Sequence, residues 1–157
     1  MKSFELRELV STDHHLVREI YQDSIESQGS KYYSLEQICA WSSLAWLPGV
    51  LDRPLCEGRG WVSCHNQEIE AFAVRYPLDR LALLYCRGRS ARCGHATALL
   101  HIVEQQARKE HQMKLVTEAS LFSCSLLIRC GWVIKSPEKL KIGGVHFDRY
   151  LMEKQLL

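Results

Sequence analysis

An arginine-rich loop in the middle of the chain carries the side chains best suited to binding an anion. From Arg80 to Val103 the sequence contains four arginines and neither Asp nor Glu. The loop itself, residues 87–96, reads RGRSARCGHA, and its glycines let backbone N–H groups approach a ligand closely. A negatively charged ligand would therefore be attracted by every charged residue of this segment, and phosphate is the usual ligand of such a loop.

The elements on either side of the loop would aim its backbone at one point. Leu81–Cys86 is an apolar run typical of a buried strand, and apolar residues from Ala96 to Ala107 recur at helical spacing. This order directs the first N–H groups of the helix, and the positive end of its dipole, toward the loop. The alternative is a junction that binds nothing, with solvated arginines. The loop lacks the Lys-Ser/Thr of a P-loop and the three glycines of a dinucleotide-binding turn.

This junction resembles the pyrophosphate loop of the GCN5-related N-acetyltransferases. In that family a hydrophobic triplet ends the strand, and Gln/Arg-x-x-Gly-x-Gly/Ala then opens an amphipathic helix. The triplet here corresponds to Leu84-Tyr85-Cys86, and the signature falls on Ala91-Arg92-Cys93-Gly94-His95-Ala96, with Ala91 departing from the usual Gln or Arg. The resemblance implies acetyl-CoA as co-substrate. Its pantetheine would pair with residues 84–86, and the N–H groups of residues Arg92–Thr97 would hold its pyrophosphate.

The resemblance also implies transfer of the acetyl group to a primary amine by direct attack on the thioester. A Lys-like amine has a pKa of ~10.4 and must lose a proton before it can attack. Glu118, near the end of a predicted strand over Lys114–Ser120, is the predicted base, acting through water; the alternative is a strand-end ion pair. A backbone N–H near Tyr85, at a bulge where two parallel strands separate, is expected to receive the oxyanion.

The group that protonates the leaving thiolate does not follow the family pattern. Leu127 stands where the family usually has Tyr, four residues before Gly131, and Ser120 stands where an Asn is usual. Ser120 can still form a hydrogen bond and is predicted to contact the cofactor. Tyr150, or a water molecule, is the predicted proton donor.

An aromatic stretch is predicted to form one wall of the acceptor pocket. It runs from Tyr32-Tyr33 to Trp41, with Ser34 and Gln37 placed as a helix capping box. It resembles a stretch of the bacterial YafP-type acetyltransferases, as do Thr117–Ser120 with Gly131-Trp132, and the closing segment, residues 144–154. Tyr32, Tyr33 and Trp41 are the predicted substrate-binding residues; ordinary core packing is the alternative.

Composition narrows the class of protein. The 157 residues are 46% hydrophobic and 24% charged, as in a globular protein, and the net charge of +2 does not point to nucleic acid. There is no apolar leader at the N-terminus and no run of ~18 apolar residues, so no membrane partner is expected. Seven cysteines without a C-x-x-C pair indicate reduced thiols in the cytoplasm, and five of them (Cys39, Cys64, Cys86, Cys124 and Cys130) lie in apolar contexts. The histidines lack metal-ligand spacing, so no metal site is predicted.

The pattern of elements predicts one mixed α/β domain over residues 1–157. A mostly antiparallel twisted sheet, with one splayed parallel pair of strands, would be flanked by about four helices. Three functions remain open: an N-acetyltransferase acting on a small-molecule or peptide amine, a non-catalytic acyl-CoA-binding or sensing protein, and an interaction module with an idle cleft. Homodimers are common in the family that the sequence resembles, but no residue pattern here specifies one.

Overall fold

The computed structural model describes residues 4–157, whose seven strands form two antiparallel sheets. The first sheet has the order β1-β2-β3-β4, with β1 at Glu5–Glu8, β2 at Arg59–His65, β3 at Glu68–Arg75 and β4 at Leu81–Cys86. The second has the order β5-β7-β6, with β5 at Lys114–Ala119, β6 at Val133–Ile142 and β7 at Val145–Gln155. The mixed α/β fold predicted from the sequence is confirmed.

Five α-helices lie in the described part of the chain: α1 (His14–Gln28), α2 (Leu35–Ser42), α3 (Asp52–Glu57), α4 (His95–Lys109) and α5 (Cys124–Arg129). Helix α3 was not predicted, because the prolines and glycines of residues 47–60 favour a loop. Tertiary contacts hold it instead: the Asp52 carboxylate accepts hydrogen bonds from Gly49 N at 2.6 Å and from Arg18 at 2.6 Å. Pro54 lies in the first turn, where its missing N–H costs no helical hydrogen bond.

None of the helices in residues 4–157 is long and apolar enough to cross a membrane.

Helix α2 begins where the sequence predicted. Ser34 Oγ accepts from Gln37 N at 3.2 Å, and the Gln37 side chain accepts in return from Ser34 N at 2.8 Å. This reciprocal capping box satisfies two N–H groups that a helix end would otherwise leave without partners.

The helical spacing of apolar residues in the sequence predicts that Leu16 and Leu35 lie on buried helix faces, and the apolar context of Cys39 predicts that it is buried, but all three residues are exposed. Leu16 is 40% exposed because it points about 100° away from the buried face of α1, which is centred on Val17 and Ile20. Leu35 is 77% exposed because it is the first residue of α2, where the Cα–Cβ bond tilts back toward the N-terminus and away from the core. Cys39, on the outer side of the same helix, is also exposed.

Strands β4 and β5 run parallel and touch only near their starts. Arg80 and Val116 form a parallel bridge, in which Val116 N donates to Asp79 O at 2.9 Å. Thr117 Oγ1 also donates to Leu81 O at 2.7 Å. Beyond this point no ladder joins the two strands within the described residues, so the two sheets open into a wedge.

The bulge of β4 lies earlier than predicted. Leu83 pairs with Val74 and Leu81 with Arg75, so Ala82 is the extra residue, rather than a residue near Tyr85. The extra residue increases the local twist of the strand at the point where β4 leaves β5.

The first sheet separates two apolar clusters, which explains why β3 is buried on both faces. Helices α1 and α2 cover the face that carries Phe72 and Val74, and α4 covers the face that carries Ala71 and Ala73. A strand alternates its side chains, so one apolar run supplies both clusters.

Candidate functional site

The wedge between β4 and β5 contains a cavity of about 300 Å³. Its walls come from the facing strands, from α1 and α2 on one side, and from β6 and β7 on the other. The lining is mainly apolar and aromatic, with Arg80, Glu118, Asp148 and Arg149 as its ionisable residues besides tyrosines. This is the usual composition of a small-molecule site, in which a few polar groups fix the orientation of the ligand.

The loop after β4 leaves the N-terminus of α4 accessible to solvent. Gly94, the N-cap of α4, has φ +99°, and Arg92 has φ +60°, so the chain turns sharply into the helix. Helix α4 begins at His95, and because its N-cap residue is Gly94, no N-cap side chain forms a hydrogen bond with its first turn. Arg92, Gly94 and Thr97 are all exposed. The predicted pyrophosphate site is therefore open to solvent at the positive end of a 15-residue helix.

The expectation that an anion meets only attraction at this loop needs correction. Arg89 donates to the Glu70 carboxylate at 2.8 and 2.5 Å, Ser90 Oγ donates to it as well, and Arg87 lies 3.8 Å from it. Arg89 also contacts Glu68 at 3.0 Å. These partners are on β3, which the sequence around the loop does not reveal.

Glu70 is buried, and the hydrogen bonds from Arg89 lower the pKa of its carboxyl to about 2. Glu70 therefore ties the loop to the sheet and offsets one of the two positive charges of Arg87 and Arg89. Of the four arginines between residues 80 and 103, only Arg92 forms no ion pair within residues 4–157.

Alternation along β4 decides which main-chain groups face the wedge. Arg87 N donates to Glu70 O at 2.8 Å, so Arg87 and Tyr85 direct their N–H and C=O groups toward β3. The main-chain groups of Leu84 and Cys86 then point toward β5. Gln28 Nε2 donates to Cys86 O at 2.8 Å. The open edge thus offers the N–H and C=O of Leu84 and the N–H of Cys86, whereas the N–H of Tyr85 faces β3.

Glu118 lies in the wall of the cavity, held by an arginine from the opposite strand. Arg80 Nε donates to its two carboxylate oxygens at 2.9 and 3.2 Å. Both side chains are partly buried, at 34% exposure for Arg80 and 23% for Glu118. The ion pair considered from the sequence is thus present, and it also orients the predicted base at the cavity wall.

Tyr150 lies on the other face of the second sheet. It pairs with Ala119, whereas Glu118 pairs with Leu151, and adjacent pairs alternate between faces. Tyr150 packs with the cluster under α4 and does not line the cavity, whereas Ser120 does. The predicted base and the predicted acid are therefore not brought together on one wall.

Two other side chains limit the chemistry that is available. Leu127 is 2% exposed and lines the cavity, so α5 supplies no proton donor at this position. Burial raises the pKa of the Cys86 thiol to about 12, which keeps it protonated at neutral pH. Cys86 is therefore not an activated nucleophile.

Two of the three predicted substrate-binding aromatics line the cavity. Tyr33 and Trp41 lie 5.4 Å apart between ring centroids, and both are buried. Tyr33 Oη accepts a hydrogen bond from Leu121 N at 2.8 Å, which fixes the turn after β5. Tyr32 is 48% exposed and lies outside the cavity lining.

The aromatic wall is larger than the sequence indicated. Phe122, Phe147 and Tyr85 complete it, with centroid distances of 5.5, 6.3 and 6.4 Å to Trp41. Burial raises the pKa of Tyr85 well above its usual value, so this ring is a neutral phenol.

Arg149 is another residue that sequence reasoning missed. It comes from β7, some thirty residues after Glu118, and only the pairing of β5 with β7 places both side chains on the cavity face. The alternation of side chains between the two faces of the closing strand is the sequence pattern that could have identified Arg149.

Comparison with known proteins supplies the fold family. No protein-family model and no curated protein matches the sequence. Among solved structures, a GCN5-related N-acetyltransferase from Rhodopseudomonas palustris is similar over 99% of this chain and 98% of its own, at 23% identity and a TM-score of 0.93. The PaiA N-acetyltransferase from Thermoplasma acidophilum, solved with coenzyme A, is similar over 98% of this chain and 99% of its own, at 16% identity and a TM-score of 0.72.

YncA from Salmonella typhimurium, solved with its cofactor acetyl-CoA, is similar over 98% of this chain and 94% of its own, at 17% identity and a TM-score of 0.68. At such identities the likeness establishes the fold. The two sheets, the wedge between β4 and β5 and the glycine turn before α4 together give this chain the fold of the GCN5-related N-acetyltransferases.

Proposed function

We propose that this protein is an acetyl-CoA-dependent N-acetyltransferase that acetylates a primary amine on a small molecule or peptide. One observation carries the proposal: an accessible helix N-terminus lies at the end of an open strand edge, beside a cavity that contains a carboxylate. The bound cofactors of two structures of the same fold support acetyl-CoA as the donor.

The residues present fit the donor. Residues Arg92–Thr97 would hold the pyrophosphate through main-chain N–H groups, with Arg92 as the nearby unpaired cation. The open edge at Leu84 and Cys86 would pair with the amides of the pantetheine as an additional strand would. Acetyl-CoA supplies an activated acyl group as its thioester.

Groups of this chain would stabilise the oxyanion and transfer the protons of the reaction. The N–H of Leu84 points into the wedge and is the oxyanion donor that we propose, in place of a group near Tyr85. Glu118, through a water molecule, would take the proton that the ammonium group must lose before the free amine attacks, and the second proton, which the nitrogen releases as the N–C bond forms, would pass to water. Such general-base catalysis contributes ~10²–10⁴ in rate. As the C–S bond breaks, Tyr150 or water would return a proton to the sulfur from the α4 side.

The finer assignment to the YafP-like acetyltransferases is part of this proposal. It is supported by the aromatic stretch from Tyr32 to Trp41 and by the closing strand, residues 144–154. In the structure these two segments meet: Gln37 Nε2 donates to His146 O at 2.8 Å. Both segments therefore build the acceptor side of the cavity.

A non-catalytic acyl-CoA-binding protein is the second candidate, because Leu127 is buried where the family has its acid. The test is to mix the protein with acetyl-CoA and a panel of amines and to measure free CoA, with binding measured by calorimetry. Release of CoA that depends on an amine supports the transferase. Binding at micromolar levels without turnover supports the second candidate, and absence of binding contradicts both.

A further inference from the structure

We infer that the acceptor is a small α-amino acid with an aromatic or branched apolar side chain, whose carboxylate is bound by Arg149. This inference rests on the proposed acetyl transfer and goes beyond it by naming the class of acceptor. It rests on the apolar wall of the cavity, the balance of charges in its lining and the incomplete hydrogen bonding of the Arg149 guanidinium group.

The apolar wall fits a hydrophobic body. Tyr33, Trp41, Phe122 and Phe147 face one another at centroid distances of 5.4 to 6.5 Å. Aromatic rings at such distances leave edges and faces that accept a further ring or a branched aliphatic group. A cavity of about 300 Å³ is at the small end of the range for ligand pockets, as expected for a small acceptor.

The charges do not fit a polyamine. A polycation needs several carboxylates to replace its hydration, because burying unpaired charge is costly. Glu118 already has a cationic partner, Arg80. Asp148 also lines the cavity, beside Arg149, so the lining contains two carboxylates and two guanidinium groups and has no excess of negative charge. The cavity therefore presents charges of both signs, which complement one amine and one carboxylate.

The hydrogen bonding of Arg149 favours binding of that carboxylate. Its Nη2 donates to Glu138 at 2.7 Å, whereas its Nε is buried and has no hydrogen-bond partner within residues 4–157. A buried donor without an acceptor is unfavourable, and a bound anion toward which the guanidinium reorients would satisfy it. A guanidinium can bind a carboxylate through two of its N–H groups while a third keeps its existing partner.

The register places this cation beside the predicted base. Leu151 is directly opposite Glu118, and Arg149 is two residues further along the same face of β7. Diagonal neighbours of this kind lie ~7–8 Å apart at the backbone, within reach of two long side chains. An α-amino acid could thus present its amine to Glu118 and its carboxylate to Arg149 at once.

The experiment compares L-phenylalanine, 2-phenylethylamine and spermidine as acceptors, by CoA release. Phenylethylamine differs from phenylalanine only by lacking the carboxylate. We expect kcat/KM for phenylalanine to exceed that for either other amine by at least about tenfold. Arg149→Gln should raise KM for phenylalanine by at least about tenfold, so that the preference for phenylalanine over phenylethylamine is lost. Equal use of both aromatic amines, or a preference for spermidine, would overturn the inference.

The controls separate this inference from the proposed function. Lys139→Gln removes an exposed charge from β6 and should leave kcat/KM unchanged for both phenylalanine and phenylethylamine. If Arg149→Gln does not fold, Arg149→Lys should keep part of the preference for phenylalanine. If no amine is acetylated, the proposed function fails. Saturation-transfer NMR on the CoA-bound protein then decides the acceptor class: preferential binding of phenylalanine over phenylethylamine supports it, and equal binding or none for both contradicts it.

Discussion

The contact between Glu70 and the anion-binding loop leads to a prediction about stability and its dependence on pH. Glu70→Gln keeps the shape of the side chain and removes its charge. The drop in the pKa of Glu70 from 4.5 to about 2 corresponds to about 3 kcal/mol of folding free energy at neutral pH. Since a glutamine oxygen still accepts a hydrogen bond, we expect the variant to lose about 2–3 kcal/mol at pH 7.

The sign of the pH dependence follows from the lowered pKa. The ionised Glu70 stabilises the folded state above its unfolded pKa of 4.5, and this contribution is lost as the pH falls toward about 2. By pH 3 the wild-type protein should have lost about 2 kcal/mol of it. Urea unfolding should therefore show a gap between wild type and variant that is largest at pH 7 and shrinks to about 1 kcal/mol at pH 3.

Glu68→Gln is the matched control, because Glu68 contacts the same Arg89 but has a side chain that is 69% exposed. An exposed pair contributes about 0–1 kcal/mol, so this variant should be nearly as stable as wild type at both pH values. Calorimetry should also show weaker CoA binding for Glu70→Gln than for Glu68→Gln, because only Glu70 also holds Ser90. A stability gap that is independent of pH, or equal effects of the two substitutions, would refute the reasoning.

Three further predictions concern the base, the loop and the fold. Glu118→Gln should lower kcat by ~10²-fold or more with little change in CoA affinity, and an unchanged kcat would exclude Glu118 as the base. Gly94→Ala should destabilise the protein by about 1–3 kcal/mol and weaken CoA binding, since Gly94 has φ +99° and a Cβ there would lie 3.3 Å from the ring of Phe4. Gly144→Ala, at φ +80° with no atom within 4 Å of its Cβ, should cost stability alone; equal CoA affinity in both alanine variants would contradict the role of Gly94. Ser34→Ala should lower the free energy of unfolding by about 1 kcal/mol without affecting CoA binding, and thermal melts would show whether the capping box contributes as the geometry indicates.

Much of the fold could be predicted from the sequence because it depends on interactions between residues that are close in the chain. The capping box at Ser34, the glycine turn at Gly94 and the apolar run of β4 depend on neighbours within a few residues, and each lies where it was predicted. Leu16 and Leu35 were misassigned because periodicity gives a helix face without saying how far the partner surface extends. The short helix α3 was missed because a contact from Arg18, distant in sequence, outweighs the local preference for a loop.

The sequence by itself determined the order of the strands and the position of the glycine turn before α4, since both follow from backbone preferences over short stretches. Only the tertiary structure decided that Arg87 and Arg89 lie against Glu70, that Leu84 rather than Tyr85 directs its N–H into the wedge, and that Arg149 shares a face with Glu118. The physical reason is common to all three. Charge pairing and strand register join residues that are far apart in the chain, and their energies depend on which strands become neighbours.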